Sequence, residues 1–187
     1  MYKLCKTEQS AARQRQLEQG LLQAMYTQDY EDISISDLCD RLGVPRKSFY
    51  RYFSNKDGAL FALLDHTLME FEQTSGAAAS GNSGAIGDLE RFFLFWHDRK
   101  ELLMALQRSR LSGLLVERAT YHALHERLMP AYLLEKDKAI QQMSLTFAIC
   151  GLLSMVLAWH NDNYRDTPSR MAKIATAMLT QPLVPTE

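Results

Sequence analysis

The chain has 187 residues, which suits one large domain or two small ones, and its formal net charge is −1. With 47% hydrophobic and 23% charged residues, it has the composition of an ordinary soluble globular protein. Its three cysteines, Cys5, Cys39 and Cys150, are too few and too far apart for a disulfide framework or a zinc site. The small net charge hides a local excess, because residues 41–56 carry five Lys or Arg residues and no Asp or Glu.

Two further observations bear on the compartment of the protein. No apolar run follows the basic residues near the N-terminus, so no signal peptide is predicted. The strongly apolar stretch at residues 143–159 is 17 residues long, shorter than the ~20 that usually span a bilayer. We therefore expect a buried helix there, no membrane span, and a cytoplasmic protein whose cysteines stay reduced.

Helical periodicity begins near the N-terminus. Leu17, Leu21 and Met25 recur every fourth residue and predict a first helix at about residues 8–28. Two more helices, at about residues 35–42 and 46–52, are predicted from the apolar pattern that follows.

Capping signals mark where several of these helices begin and end. Ser34 and Asp37 have the spacing of a capping box, and Gly43 suits the left-handed residue that ends a helix. Ser54 and Asp57 repeat the box and predict a fourth helix that ends near residue 74.

The stretch SGAAASGNSGAIGD, residues 75–88, holds four of the nine glycines and predicts a flexible connection. The helices expected beyond it lie at about 86–97, 99–108, 110–134, 136–162 and 168–180. The last of these begins with Thr167 as the N-cap and Pro168 at the first helical position. No segment shows sustained strand alternation, so the predicted fold class is all-α.

The short helix at residues 46–52 combines an apolar and a basic face. At 100° per residue Phe49 and Phe53 share one side, while Lys47 and Arg51 lie about 160° and 200° from Phe49. With Gly43 turning the chain before it, this is the pattern of a helix-turn-helix whose second helix enters the DNA major groove. Taken alone, the pattern also fits a helical hairpin with a solvated basic face.

The run ISISDLCDRLGVPRKSFYRYFSNKDGAL, residues 33–60, resembles the DNA-binding domain of the tetracycline-repressor (TetR) family of bacterial transcription factors. The matching features are Ser34, the Asp37-Leu38 pair, Gly43-Val44, Phe49-Tyr50, Phe53, Lys56-Asp57 and Leu60. The resemblance implies an N-terminal three-helix helix-turn-helix domain, drawn at residues 1–55. It also implies a C-terminal helical domain for effector binding and dimerisation, drawn at residues 56–187.

The resemblance also implies which residues contact DNA. Ser34, Tyr50, Tyr52 and Lys56 are expected to bind phosphates. The residues expected to approach base edges are Arg46, Lys47, Ser48 and Arg51.

Three positions depart from the family pattern and leave the base preference open. Pro45 stands where the family often has a capping Ser, so the recognition helix lacks a side-chain cap, although Pro can start a helix. Lys47 replaces a small residue and can either read guanine or reach a phosphate. Tyr52 stands where His is common, and it keeps a hydrogen-bonding tip but cannot become positively charged.

By resemblance, the last two helices, at about 136–162 and 168–180, form a homodimer interface. The stretch Met143–Trp159 is apolar nearly all round, and a partner chain is one way to cover such a helix. Burial within one chain is the alternative. A homodimer agrees better with a two-fold DNA site, which needs two reading heads.

The implied effector pocket is the least defined part of the sequence. Phe92 and Trp96 lie on one predicted helix, with Leu103 and Trp159 as possible neighbours, and these four are the candidate ligand-binding residues. An aromatic stripe of this spacing is also ordinary core. Charge gives no clue to the ligand, since residues 61–187 hold 12 Lys or Arg and 14 Asp or Glu residues.

The expected function is that of a sequence-specific, DNA-binding transcriptional regulator. The favoured form is a homodimeric repressor that binds a near-palindromic operator and responds to an unidentified small molecule. Control by a protein partner is one alternative. A remote one is a metal-binding protein or enzyme that uses His122 and His125, which lie three residues apart. No phosphate loop or nucleophile elbow is present, so we expect no enzyme, no catalytic residue and no cofactor.

Overall fold

The computed structural model describes residues 2, 5, 7–78, 85–125 and 137–180. Within these residues the chain is all-α, as predicted, and forms nine helices and one short 3₁₀ turn at Tyr30–Asp32. The helices are α1 (Glu8–Met25), α2 (Ile35–Arg41), α3 (Arg46–Tyr52), α4 (Lys56–Ala78), α5 (Ala85–His97), α6 (Lys100–Arg108), α7 (Ser112–His125), α8 (Lys138–Asn161) and α9 (Pro168–Thr180).

Most of the predicted helix boundaries lie within a few residues of the observed ones, and the differences have local causes. The side chain that caps α4 is Asn55, whose Oδ1 accepts the Gly58 amide at 2.9 Å, so the predicted cap at Ser54 is wrong by one residue. The predicted connection at residues 75–88 is helical at both ends, because α4 continues to Ala78 and α5 begins at Ala85. Residues 79–84 and 126–136 lie outside the described part of the chain.

The chain forms two compact units. The first comprises Met1–Thr67 with Met104–Arg118, and the second comprises Leu68–Leu103 with Ala119–Glu187. The predicted domain boundary between residues 55 and 56 stays a prediction.

The core of the first unit is built around α1, α2 and α3. Leu17, Leu21 and Met25 of α1 are fully buried, as are Phe49 of α3 and Phe53, the residue that follows α3. Burial of this apolar surface is the main stabilising contribution to the unit.

A glycine lets α1 and α2 pack closely. A Cβ atom added to Gly20 would lie 2.5 Å from Cδ1 of Leu42, closer than two carbon atoms tolerate without displacement. The absence of a side chain at Gly20 therefore lets the Leu42 side chain lie directly against α1.

In the second unit α5 packs against α9 and α8. Phe93 of α5 and Ala172 of α9 are fully buried, and Thr167 caps α9 as predicted, with its Oγ1 accepting the Arg170 amide at 3.2 Å. Trp159 of α8 lies edge-to-face against Phe93, and its Nε1 donates to the Asp166 carbonyl at 2.9 Å.

Candidate nucleic-acid interface

Helix α2 and the turn after it orient α3. The Ser34 Oγ accepts the Asp37 amide at 3.0 Å, which confirms the predicted N-cap of α2. Gly43 has φ +62°, the left-handed conformation expected of a helix-ending glycine, and the next amide, of Val44, donates to the Cys39 carbonyl at 3.0 Å. The turn is thus closed by backbone geometry that other residues adopt only with strain.

Helix α3 has the two faces that the sequence predicts. It begins after Pro45, whose φ of −62° is already helical and which provides no side-chain cap. Phe49 and Phe53 are buried with their ring centroids 5.1 Å apart, and they anchor the helix to the first unit.

The opposite face of α3 is basic and solvent-exposed. Arg46, Lys47 and Arg51 are exposed, and none of the three forms an ion pair with a residue that the structure describes. Tyr50 is 47% exposed, whereas Ser48 is half-buried. Long cationic side chains with free donors on an exposed helix are suited to a polyanion such as DNA.

Two of the predicted contact residues lie deeper than expected. Tyr52 is only 7% exposed and packs with its ring against Phe53, at a centroid distance of 6.2 Å. The Lys56 ammonium group donates to the carbonyls of Tyr30, Glu31 and Ile33, at 3.1 Å for Glu31 and 2.9 Å for Ile33.

A lysine has three N–H donors, so these carbonyls occupy all of them. The ammonium group also lies 4.4 Å from the centre of the Tyr30 ring. The Tyr30 hydroxyl in turn donates to Asp57 at 2.7 Å, and burial followed by this bond raises the pKa of Tyr30. Lys56 and Tyr30 thus join the first turn of α4 to the segment that precedes Ser34.

The three aromatic candidates for ligand binding, Phe92, Trp96 and Trp159, belong to one continuous series of ring contacts that runs through Phe93. Phe92 and Trp96 contact each other, with centroids 6.4 Å apart, and Phe92 also lies 5.6 Å from Phe71. Phe93 lies 5.3 Å from Phe92 and 5.8 Å from Trp159, and so links the two rings. Leu103 is fully buried in α6.

A buried polar atom of Trp96, which contacts Phe92, has no hydrogen-bond partner in the part of the chain that the structure describes. The indole nitrogen Nε1 of Trp96 is buried and finds no hydrogen-bond acceptor among the described residues. A buried N–H without an acceptor costs about 1–3 kcal/mol, so this donor is suited to an acceptor from outside the protein.

The two histidines proposed for a metal point to different surroundings. His122 is buried, with its Nδ1 3.9 Å from a Glu72 carboxylate oxygen. His125 is exposed, hydrogen-bonds the Tyr121 carbonyl at 2.8 Å and stacks on that ring. Among the described residues no three potential ligands lie close enough to hold a metal ion.

Helix α8 presents an apolar stripe to solvent. Ile140, Met143 and Phe147 are 55%, 66% and 63% exposed, and the stripe continues at the exposed residues Gly151, Ser154 and Ala158. The opposite face is buried through Leu145, Leu153, Val156 and Trp159. In the part of the chain that the structure describes, α8 is the one helix long and apolar enough to cross a membrane, judged by length and composition.

Comparison with known proteins adds a sequence match and a fold match. Residues 20–63 match the family model described as "Bacterial regulatory proteins, tetR family". The match spans the end of α1, all of α2 and α3, and the start of α4. No curated protein matches the chain by sequence.

Several solved structures are similar to the chain. A tetR-family transcriptional regulator from Streptomyces coelicolor aligns with a TM-score of 0.57 at 17% identity, over 90% of this chain and 79% of that one. The fatty acid degradation regulator FadR from Bacillus halodurans aligns at 0.58 and 14% identity, over 96% and 98%. FadR from Bacillus subtilis, solved in complex with stearoyl-CoA, aligns at 0.57 and 14% identity, over 91% and 99%. At such identities the similarity shows the fold.

Proposed function

We propose that the chain is a ligand-responsive, homodimeric transcriptional repressor in the cytoplasm, because residues 20–63 match the tetR family model of bacterial regulatory proteins. The observation that carries the proposal is the α3 helix. Its buried Phe49, with Phe53 directly after the helix, leaves Arg46, Lys47 and Arg51 on the exposed side. A helix of this kind fits the major groove, where Arg and Lys donate to guanine edges.

The other predicted DNA contacts differ in whether their side chains are free to reach DNA. Ser34 and Tyr50 are exposed on either side of the turn and have hydroxyl groups suited to phosphates, and Ser48 is close enough to the surface to join the base-reading residues. For Lys56 we propose a positioning role in place of the phosphate contact, because its three donors are already bonded within the protein. Lys56 then acts on DNA binding through the segment that leads to Ser34.

The α8 stripe supports the homodimer. Ile140, Met143 and Phe147 expose large apolar side chains in a row, which is costly for a protein that stays monomeric in water. A second copy of the chain would cover this row and provide the second reading head that a near-palindromic operator requires. Met178 and Leu179 of α9 are also exposed, as the predicted interface through the last two helices requires of α9.

The Trp96 indole supports an effector site in the second unit. Its buried N–H would donate to an effector that brings an acceptor, such as a carbonyl or carboxylate oxygen, together with apolar surface for Phe92 and Phe71. Leu103 and Trp159 stay candidates for the same site. The effector would act by a population shift, through different affinities for the DNA-binding and non-binding conformations.

The test is a fluorescence-anisotropy titration with duplex DNA from upstream of the protein's own gene, at physiological salt and with excess random DNA. We expect binding that survives the competitor, with two chains per duplex. If no natural duplex binds in the presence of the competitor, binding sequences are selected from a random DNA pool. A selection that enriches no sequence would overturn the proposed function.

A further inference from the structure

A polar recess lies where the first turns of α1 meet the flank of α3. It has a volume of about 300 Å³ and is lined by Gln9, Ser10, Arg13, Ser48, Arg51 and Tyr52. Every lining residue carries a hydrogen-bonding group, and none is aliphatic or acidic. Pockets for small organic effectors are mostly apolar, so this recess has the wrong lining for one.

Both arginines of the recess keep their positive charge uncompensated. Arg13 donates to the neutral side chain of Gln16 at 2.8 Å. Neither Arg13 nor Arg51 forms an ion pair with a described residue. Burial and the Glu18 carboxylate raise the pKa of Cys5, and the charge of Arg51 acts against them. Two guanidinium groups that line one recess repel each other, and an anion bound between them would offset that repulsion.

We propose that this recess binds a backbone phosphate of the operator DNA, through Arg13 and Arg51 with the hydroxyl of Ser10. The inference rests on the proposed function and adds α1 to the DNA-binding surface. Arg51 is the link, because it belongs both to the recess and to the exposed basic face of α3, and its five N–H donors can bind the phosphate and a base edge together. A phosphate held there would lie beside the groove that α3 enters, and it would fix the position of the helix without reading sequence.

The recess also gives Tyr52 a place in DNA binding despite its burial. The ring packs inward against Phe53, and the residue still forms part of the recess wall. The predicted phosphate contact of Tyr52 is thus retained as a contact within the recess rather than on the exposed face of α3.

The experiment compares Arg13→Gln with Arg15→Gln, using the duplex that the selection above returns. Arg15 is exposed on the same helix and does not line the recess, so both variants lose one charge from α1. We expect Arg13→Gln to flatten the plot of log affinity against log salt by about 0.9 per chain. Arg15→Gln should keep the wild-type slope. Equal slopes for the two variants would overturn the proposal while leaving wild-type DNA binding, and thus the proposed function, intact.

A second measurement locates the phosphate. Duplexes with a single neutral methylphosphonate are titrated position by position against the wild type and Arg13→Gln. We expect a methylphosphonate at one position or more to lower the affinity of the wild type about tenfold and to leave the affinity of Arg13→Gln unchanged. The neutral phosphate and the Arg13→Gln substitution then remove the same contact. Equal weakening of both proteins at every position would overturn the contact.

The same chemistry could serve a free anion. Inorganic phosphate, added at millimolar concentration without DNA, is therefore tested for thermal stabilisation of the wild type and Arg13→Gln. Stabilisation of the wild type alone, combined with an unchanged salt slope in Arg13→Gln, would assign the recess to free phosphate and overturn its role in DNA binding. Failure of the wild type to bind any duplex would overturn the proposed function and this inference together.

Discussion

Arg118 of α7 binds both carboxylate oxygens of Asp65 in α4, with Nε donating to Oδ1 at 2.7 Å and Nη2 to Oδ2 at 2.6 Å. The Asp65 side chain is 1% exposed, and the Tyr2 hydroxyl donates to its Oδ2 at 2.7 Å. Burial and the bond to Asp65 raise the pKa of Tyr2, so the hydroxyl keeps its proton. Tyr2, Asp65 and Arg118 together therefore join three distant parts of the sequence within the first unit.

We predict that Arg118→Met lowers the free energy of unfolding by about 3–5 kcal/mol, because it leaves the Asp65 carboxylate buried without its cation. Urea denaturation measures the loss. Arg165→Met is the matched control, because Arg165 forms an exposed ion pair. Its side chain is 80% exposed, and its Nε lies 3.8 Å from an Asp162 carboxylate oxygen. Loss of this pair should cost less than about 1 kcal/mol. Similar losses for the two variants would show that the Asp65 pair is not a major source of stability.

Lys56→Met separates a positioning role from a phosphate contact. The substitution leaves the carbonyls of Tyr30, Glu31 and Ile33 without their donor, and we expect a loss of about 1–3 kcal/mol in stability. The slope of log affinity against log salt should stay unchanged, because no phosphate contact is removed.

Lys47→Met is the control for this experiment. Lys47 is exposed on α3, so its replacement should change stability by no more than about 0.5 kcal/mol. A flatter salt slope in Lys56→Met, with stability unaffected, would restore the phosphate role for Lys56.

Lys47→Ala and Arg51→Ala should each change the DNA sequences that the protein prefers. A lost contact to a base edge is worth about 1–3 kcal/mol of discrimination at one position of the site. Selection from a random DNA pool, run in parallel with the wild type, reads out the change as relaxed preference at one base pair per half-site. Identical selected sequences for both variants would remove these residues from base reading.

Phe147→Glu should convert the protein to a monomer. Phe147 is 63% exposed in the centre of the α8 stripe. A Glu side chain there is solvated in the monomer and is buried, at a cost, only when two copies pair. Analytical ultracentrifugation should show the lower mass, and the affinity for the selected duplex should fall at least tenfold.

Met104→Glu is the control for the dimer variant, because Met104 is also exposed, at 47%, but lies on α6. It should remain a dimer. A wild-type protein that sediments as a monomer and instead binds lipid vesicles through α8 would contradict the dimer and support a membrane contact for this helix.

The short-range features of the DNA-binding domain could be predicted from the sequence. The sequence predicts α3 at residues 46–52, which are its observed bounds, because Gly43 and Pro45 end one helix and start the next by their backbone preferences. The amphipathic spacing of Phe49 and Phe53 likewise fixed which side faces solvent.

The contacts that the sequence did not reveal join residues far apart in the chain. Lys56 reaches carbonyls 23 to 26 residues away, and no local pattern distinguishes such a lysine from one that faces solvent. The recess could not be predicted for the same reason, because Gln9 and Arg13 come from α1 and Arg51 comes from α3. The cap of α4 was misplaced for a different reason, because Ser54 and Asn55 are both good N-caps and only the observed start of the helix decides between them.

The exposed stripe of α8 carries no charged side chain. From Ile140 through Phe147 to Ala158 it consists of large apolar residues followed by glycine, serine and alanine. Charged pairs are a common means by which related proteins avoid pairing with one another. A chain that pairs through this stripe has to recognise its own copy by shape, with bulky side chains at one end and closely approaching backbones at the other. A cell with several regulators of this fold would then keep their subunits apart by steric fit.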